Sequence, residues 1–140
     1  MQSGTTSSDM PRVLLVDDNE AMLARATAVL TPHCVVVGAV KDALAALGAA
    51  GRLQPDVIVL DISMPGMSGL ELAHRLRQAG STAALVFLTV HDAEEFVSAA
   101  KAAGAVGYVV KPRLVSELTL AVREASAGRS FVSATLGTRH

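Results

Sequence analysis

The amino-acid sequence predicts a doubly wound α/β fold, in which helices cover both faces of one parallel sheet. Five short apolar segments recur along the chain of 140 residues, and alanine- and leucine-rich segments lie between them. Continuous apolar segments are typical of strands buried on both faces, whereas the intervening segments are apolar at helical spacing. Their regular alternation predicts strands joined by crossover helices, in the order 2-1-3-4-5.

The predicted strands cover residues 13–16, 35–37, 57–60, 85–88 and 106–110. Ser68 and Ser116 are predicted to cap the starts of helices, because a serine side chain can accept a hydrogen bond from a free amide there. Four glycines are predicted to end helices in a left-handed conformation: Gly51, Gly80, Gly104 and Gly128.

One domain is predicted over residues 11–128, with a flexible polar tail at 1–10 and a tail or the start of a linker at 129–140. Within that last segment, Phe131 and Val132 either fold back onto the final helix or begin the linker. A chain of this size can bury about two thirds of the surface that it exposes when unfolded.

The composition gives no reason to expect direct binding to nucleic acid or to a membrane. The chain has 12 basic and 13 acidic residues and a formal net charge of -1. No apolar segment approaches the ~18 residues of a membrane span, and the polar start lacks the pattern of a secretory signal. The single cysteine, Cys34, has no partner for an internal disulfide. We therefore expect a cytoplasmic location.

Polar residues follow four of the five predicted strands, and only the second strand contributes none. They are Asp17 and Asp18 after the first strand, Asp61 after the third, Thr89 at the end of the fourth and Lys111 after the fifth. In the order 2-1-3-4-5 these four strands are neighbours, so we expect their side chains to meet at one edge of the sheet.

Three carboxylates at one place repel each other unless a cation joins them, and oxygen ligands of this kind suit Mg²⁺, with Mn²⁺ as a substitute. A neighbouring lysine can neutralise a phosphoryl group, and a threonine hydroxyl can donate a hydrogen bond to it. The pattern therefore predicts a phosphoryl acceptor site in which Asp61 is the nucleophile and Lys111 offsets the charge.

The segments VLLVDDN, VIVLDISMPGMSGLEL, LVFLTV and GYVVKP resemble the response-regulator receiver family, which has a CheY-like, flavodoxin-like fold. The end of the sequence is most similar to the NarL/FixJ subfamily. The resemblance implies that Asp61 is phosphorylated and that the Ser63 carbonyl joins Asp17 and Asp18 as a metal ligand. It also implies that Thr89 and Tyr108 are switch residues and that the Lys111–Pro112 bond is cis.

The resemblance further implies a histidine kinase or a phosphotransfer protein as the phosphodonor. Phosphorylation would change the surface of the fourth helix, fifth strand and fifth helix and so control an output partner, with transcriptional regulation expected if the chain belongs to a longer regulator. A homodimer could form through this surface or through the first and fifth helices. The residues expected to allow close packing are Ala99, Ala100, Ala102 and Ala103 of the fourth helix and Leu118, Val122 and Ala125 of the fifth.

Val90 is bulkier than the small residue usual in the family beside the switch threonine, and His91 follows it. Our hypothesis is that Val90 narrows access to Asp61. The alternative functions are a receiver that serves as a scaffold without phosphorylation and a phosphatase with an aspartyl-phosphate intermediate. Ser63 stands where such phosphatases carry a second acid, so we expect no turnover of an external substrate. A nucleotide- or flavin-binding module is disfavoured because no glycine-rich phosphate motif follows the first strand.

Overall fold

A parallel sheet of six strands forms the centre of the structure, a computed structural model that describes residues 10–133. The strands are β1 (Arg12–Val16), β2 (Val35–Val40), β3 (Val57–Leu60), β4 (Ala84–Thr89), β5 (Gly107–Val110) and β6 (Phe131–Val132). The helices are α1 (Glu20–Leu30), α2 (Ala43–Leu53), α3 (Gly69–Gln78), α4 (Glu94–Ala102) and α5 (Leu114–Ser126), and a 3₁₀ turn covers Lys111–Arg113. Apart from Met10, the tail predicted at 1–10 lies outside the described residues, as do residues 134–140.

The strand order is β2-β1-β3-β4-β5-β6, which confirms the predicted order of the first five strands. The sixth strand was not predicted. Phe131 and Val132 pair in parallel with Gly107 and Tyr108 of β5, and Phe131 also packs against the core beneath α1 and α5. The surface around α4, β5 and α5 therefore includes β6, which covers the edge of β5.

The two faces of the sheet carry separate apolar cores, as alternation along each strand requires. Leu14 and Val16 of β1 belong to the core beneath α2, α3 and α4, whereas Val13 and Leu15 belong to the core beneath α1 and α5. Burial on both faces was wrongly predicted for β2, where Val35 is 44% exposed. The reason is its place at the edge of the sheet, where it has one neighbouring strand.

Most of the predicted helix ends are confirmed. The Ser68 hydroxyl accepts a hydrogen bond from the Glu71 amide at 3.1 Å and caps α3. Gly80, Gly104 and Gly128 all have positive φ angles after α3, α4 and α5. This conformation allows the backbone amides that follow each helix to donate hydrogen bonds to the last carbonyls of that helix.

Two predicted helix boundaries are wrong. Gly51 lies inside α2, and the left-handed residue that ends this helix is Gln54, whose side chain donates to the Gly51 carbonyl at 3.0 Å. Ser116 lies within the first turn of α5, because the 3₁₀ turn leads directly into this helix at Leu114. In both cases the helix runs past a residue type that often marks a boundary.

The Lys111–Pro112 bond is trans, contrary to the prediction, and no peptide bond within residues 10–133 is cis. Pro112 lies in the first turn of the 3₁₀ segment, where no amide hydrogen is required and a trans proline fits the backbone. The trans isomer is also the intrinsically favoured one by about 0.5–1 kcal/mol.

The α5 residues proposed for partner contact, Leu118, Val122 and Ala125, are buried against the sheet and cannot meet a partner. The exposed apolar side chains of this helix are instead Val115 and Leu120. Among the described helices, none is both long enough and apolar enough to cross a membrane.

Gly69 allows α3 to begin directly against the end of β3. Its amide donates to the Ile62 carbonyl at 2.7 Å, and a Cβ atom at this position would lie 2.8 Å from the carbonyl carbon of Asp61 and even closer to its oxygen. Because these are backbone atoms, no side-chain rotation can relieve the overlap. The absence of a side chain at Gly69 thus helps to set the position of the Asp61 backbone.

We predict that Gly69→Ala lowers the free energy of unfolding by about 3 kcal/mol, at the upper end of the usual cost of overpacking. Gly48→Ala is the matched control, because apart from its chain neighbours and the nearby backbone of α2 no described atom lies within 4 Å of its added Cβ. The control should stabilise the protein by up to about 1 kcal/mol through helix propensity. Urea denaturation measures both values, and equal stability of the two variants would contradict the packing argument.

Candidate functional site

The parallel register places the polar strand ends at one edge of the sheet. Val16 of β1 pairs with Leu60 of β3, so Asp17 and Asp61 follow at the same level. Thr89 of β4 pairs with Val110 of β5, and Lys111 comes next along the chain. The four contributing strands are neighbours, as the sequence predicts.

Three carboxylates come together at this edge. Asp17 and Asp61 are 3% and 5% exposed, Asp18 is exposed, and one oxygen of each lies within 4.8 Å of the others. The Lys111 ammonium enters the cluster, with Nζ 2.8 Å from Oδ2 of Asp61 and 2.9 Å from Oδ2 of Asp17. With all three carboxylates ionised, one ammonium leaves the cluster negatively charged, which favours a further cation.

Backbone groups hold Asp17 in place. Its amide donates to the Val40 carbonyl at 3.1 Å, and its Oδ1 accepts a hydrogen bond from the Asn19 amide at 2.9 Å. The expectation that the second strand contributes nothing is therefore wrong for its backbone, since Val40 ends β2. A carbonyl contact of this kind leaves no signal in the side-chain pattern.

The donor set fits a hard divalent cation. Oδ2 of Asp17 is buried, and apart from its ion pair with Lys111 it accepts no well-directed hydrogen bond from the described residues. A buried carboxylate oxygen in this state retains capacity for a ligand. Together with the oxygens of Asp18 and Asp61, it forms the type of site that Mg²⁺ prefers.

The charge of Lys111 is stabilised by the acids around it. Burial lowers the pKa of its ammonium, but hydrogen bonds and charge interactions with Asp61 and Asp17 outweigh burial, so that the pKa lies above its ordinary value. Lys111 therefore stays protonated at neutral pH. It can act as a fixed positive charge rather than as a proton donor or acceptor.

His91 connects the groups beside this cluster, although the sequence identified it only as a residue near the rim. Its Nε2 lies 2.6 Å from Oγ of Ser63, and its ring stacks on Phe96 with centroids 4.2 Å apart. Its amide donates to the buried Thr89 hydroxyl at 3.4 Å, and its carbonyl accepts from the Tyr108 hydroxyl at 2.7 Å. One residue thus contacts both predicted switch residues.

Ser63 and Val90 lie at the exposed rim. The Ser63 amide donates to Oδ1 of Asp61 at 3.3 Å, whereas the role of its carbonyl as a metal ligand stays a prediction. Val90 is 62% exposed, so most of its side chain faces solvent. The bridge across the rim is made by His91 and Ser63.

Tyr108 lies inside the protein, 2% exposed, with its ring centroid 6.4 Å from that of Phe87. Burial, and then the charges of Asp61 and Asp92, raise the pKa of Tyr108 from 10.0 to about 12. The phenol therefore keeps its proton at physiological pH and remains a hydrogen-bond donor to His91.

Residues 13–123 match the family model described as the response regulator receiver domain. The chain belongs to this family. The match extends from β1 into α5 and includes every strand that contributes to the acidic cluster. It confirms the resemblance found in the sequence motifs.

This receiver is similar to two nitrate/nitrite response regulators of Escherichia coli strain K12. It is 40% identical to NarP over 124 residues, which cover 87% of this chain and 58% of NarP. It is 34% identical to NarL over 133 residues, which cover 93% of this chain and 62% of NarL. These similarities confirm the assignment to the NarL/FixJ subfamily, and the chain spans about three fifths of the length of both relatives.

Solved receiver structures have the same fold. The signal receiver domain of a response regulator NarL from Mycobacterium tuberculosis is 31% identical, with a TM-score of 0.78 over 86% of this chain and 99% of that one. A LuxR-family response regulator from Aurantimonas sp. SI85-9A1 is also 31% identical, with a TM-score of 0.86 over 91% of this chain and 93% of that one.

We predict that Tyr108 ionises at a pH about two units higher in the native receiver than in the unfolded chain. Tyr108 is the only tyrosine, and the chain has no tryptophan, so tyrosinate absorbance reports this residue alone. At pH 11 about a tenth of native Tyr108 should be ionised, against about nine tenths of the unfolded form.

Because the native pKa is the higher one, the stability that Tyr108 contributes is complete below pH 10 and decreases as the pH rises from about 10 to about 12. Titration in buffer and in denaturant measures the difference. A native midpoint close to 10 would contradict the buried, hydrogen-bonded state of the phenol.

Proposed function

We propose that this receiver accepts a phosphoryl group on Asp61 from a histidine kinase or a phosphotransfer protein. The main support is the position of Asp61 Oδ2, 2.8 Å from the Lys111 ammonium within the cluster of three carboxylates. A carboxylate nucleophile needs nearby positive charge to approach an anionic phosphoryl group, and this arrangement supplies it. An open depression lined by Asp18, Ser63 and Pro65 gives a donor access to this edge.

In the proposed reaction, an oxygen of Asp61 forms a bond to phosphorus as the bond between phosphorus and the donor nitrogen breaks. The donor imidazole leaves with that electron pair. Lys111 moves from its contact with Asp61 to a phosphoryl oxygen, and the Thr89 hydroxyl donates to another. Catalysis consists mostly of positioning and charge stabilisation, as in other phosphoryl transfers.

We further propose that Asp17, Asp18, Asp61 and the Ser63 carbonyl hold Mg²⁺, with Mn²⁺ as a substitute. When bound, the ion offsets negative charge on the phosphoryl oxygens. Oδ2 of Asp17, which is buried and has no well-directed hydrogen bond beyond its ion pair with Lys111, supports this assignment. The protein would then catalyse only its own phosphorylation and dephosphorylation, without turnover of an external substrate.

The proposed switch is an equilibrium between two conformations, in which phosphorylation favours the one with Tyr108 inside. Thr89 and Tyr108 both form hydrogen bonds with the backbone of His91. A shift of Thr89 toward a phosphoryl oxygen would therefore move His91 and change the hydrogen bond of Tyr108. The surface of α4, β5 and α5, extended by β6, would then control an output partner.

A homodimer would use this same surface or that of α1 and α5, where Val115 and Leu120 are exposed on α5. The similarity to NarP and NarL supports transcriptional regulation as the output. We propose that the chain acts in the cytoplasm and does not itself bind nucleic acid.

We expect one phosphoryl adduct on the wild-type chain after incubation with acetyl phosphate and Mg²⁺, and none on Asp61→Asn. Asp56→Asn is the matched control, because Asp56 lies at the opposite end of β3 and accepts a hydrogen bond from the Arg12 amide. This control should carry the adduct. Intact-mass spectrometry distinguishes the three proteins.

An adduct that persists in Asp61→Asn would place the acceptor elsewhere. No adduct on the wild type, and no binding of beryllofluoride, would favour a phosphorylation-independent scaffold.

We predict that Val90→Ala increases the rate of phosphorylation, of dephosphorylation or of both by about fivefold, since ~1 kcal/mol of barrier corresponds to that factor. His91→Ala should increase access more, because it removes the bridge to Ser63. Val115→Ala is the control, a similarly exposed valine on α5. Rates are followed with acetyl phosphate by mass, and unchanged rates in Val90→Ala would end the hypothesis of access control by this residue.

A further inference from the structure

The last described segment of the chain is fastened to β5 by a buried network of polar groups. The Ser133 hydroxyl accepts a hydrogen bond from the Val110 amide at 3.0 Å and donates one to Oε1 of Glu117 in α5. Oε2 of Glu117 accepts from Nε of Arg113 at 3.2 Å. The network therefore joins β5, α5 and the residue after β6.

Glu117 and Ser133 are both buried, at 5% and 0% exposure. A carboxylate is costly to bury, and it is retained in a structure when its oxygens have hydrogen-bond partners. Loss of the Ser133 hydroxyl would remove one such partner from a buried charge. The network is therefore sensitive to whether the segment after β6 is in place.

Apolar packing holds β6 only in part. Phe131 and Val132 are both half-buried, and a cleft of about 240 Å³ lies between this strand and Val97, Ala100 and Lys101 of α4. Backbone pairing adds the hydrogen bond from the Ser133 amide to the Tyr108 carbonyl, at 2.8 Å. With incomplete apolar contacts, the attachment of β6 depends strongly on these polar ones.

The same network reaches the phosphorylation site through the 3₁₀ turn Lys111–Arg113. Lys111 follows Val110, whose amide is bonded to Ser133, and its ammonium contacts Asp61. Arg113, two residues later, pairs with Glu117. Both basic residues of this short turn are thus held by buried carboxylates, one in the acidic cluster and one in the network around Ser133.

We infer that Glu117 and Ser133 are positioning residues that couple the phosphorylation state of Asp61 to the attachment of β6. Occupation of the site by a phosphoryl group strengthens the attachment of β6, because Lys111, which then contacts the phosphoryl group, is the chain neighbour of Val110, whose amide donates to the Ser133 hydroxyl. By reciprocity, detachment of β6 weakens binding of a phosphoryl analogue by the same factor. This inference rests on the proposed function of Asp61.

The test uses the full chain with Mg²⁺ and beryllofluoride as the phosphoryl analogue, and hydrogen exchange of the Ser133 and Val110 amides measured by NMR. In the wild type, beryllofluoride should slow exchange of the Ser133 amide about fivefold or more, within the usual range of coupling between sites. Ser133→Ala should weaken beryllofluoride binding by a similar factor, and Ser133→Thr, which keeps the hydroxyl, should restore it.

Two further variants separate coupling from general loss of stability. Glu117→Gln keeps an acceptor for the Ser133 hydroxyl but loses the ion pair with Arg113, and it should weaken binding less than Ser133→Ala. Ser130→Ala, which removes an exposed hydroxyl just before β6, should leave binding unchanged.

Binding of beryllofluoride without any change in Ser133 exchange would overturn the coupling and leave the proposed function intact. This comparison uses only wild-type protein and therefore does not depend on the folding of any variant. Unchanged affinity in Ser133→Ala would overturn the coupling as well. If the wild type fails to bind beryllofluoride and acquires no adduct, both the proposed function and the coupling are contradicted.

Discussion

The contact of Lys111 with two buried carboxylates is the interaction on which the site depends. Its ammonium lies within 3 Å of an oxygen of Asp17 and of Asp61, and Asp18 lies beside them. Burying this much negative charge is unfavourable, and one ammonium offsets it only in part. The excess charge explains why the same place suits a divalent cation. In the reaction proposed for Asp61, Lys111 is the side chain of this cluster that offers positive charge to an anionic phosphoryl group.

The parallel sheet brings Lys111 and these carboxylates together, and the sequence was sufficient to predict this. In a parallel sheet all carboxyl ends lie at one edge, so residues that follow neighbouring strands meet whatever the details of the helices between them. Asp17, Asp61, Thr89 and Lys111 could therefore be grouped from strand positions alone. Continuous apolar segments identified β1, β3, β4 and β5 well because these strands are buried on both faces, and β2 less well because it is at an edge.

What the sequence did not predict depends on contacts between side chains far apart in the chain. His91 and Ser63 are 28 residues apart, and nothing in the local sequence distinguishes either from an ordinary loop residue. Glu117 stands four residues after Arg113, a spacing typical of exposed helical pairs, yet it is buried and accepts a hydrogen bond from the distant Ser133. A strand as short as β6 carries too few residues to show a period. Local pattern is informative where burial is uniform, and it fails where a tertiary contact decides the environment of one residue.

The two polar networks share one short segment, and that has a mechanical consequence. The turn Lys111–Arg113 has a basic residue at each end, and each is bonded to a different buried carboxylate, Lys111 to Asp61 and Arg113 to Glu117. If Lys111 follows a new negative charge on Asp61, the turn cannot move without changing the geometry at Arg113 or at the Val110 amide. A three-residue turn has little freedom to absorb such a shift within itself. A movement of Lys111 therefore also changes the contacts of Glu117 and Ser133, which lie next to β6.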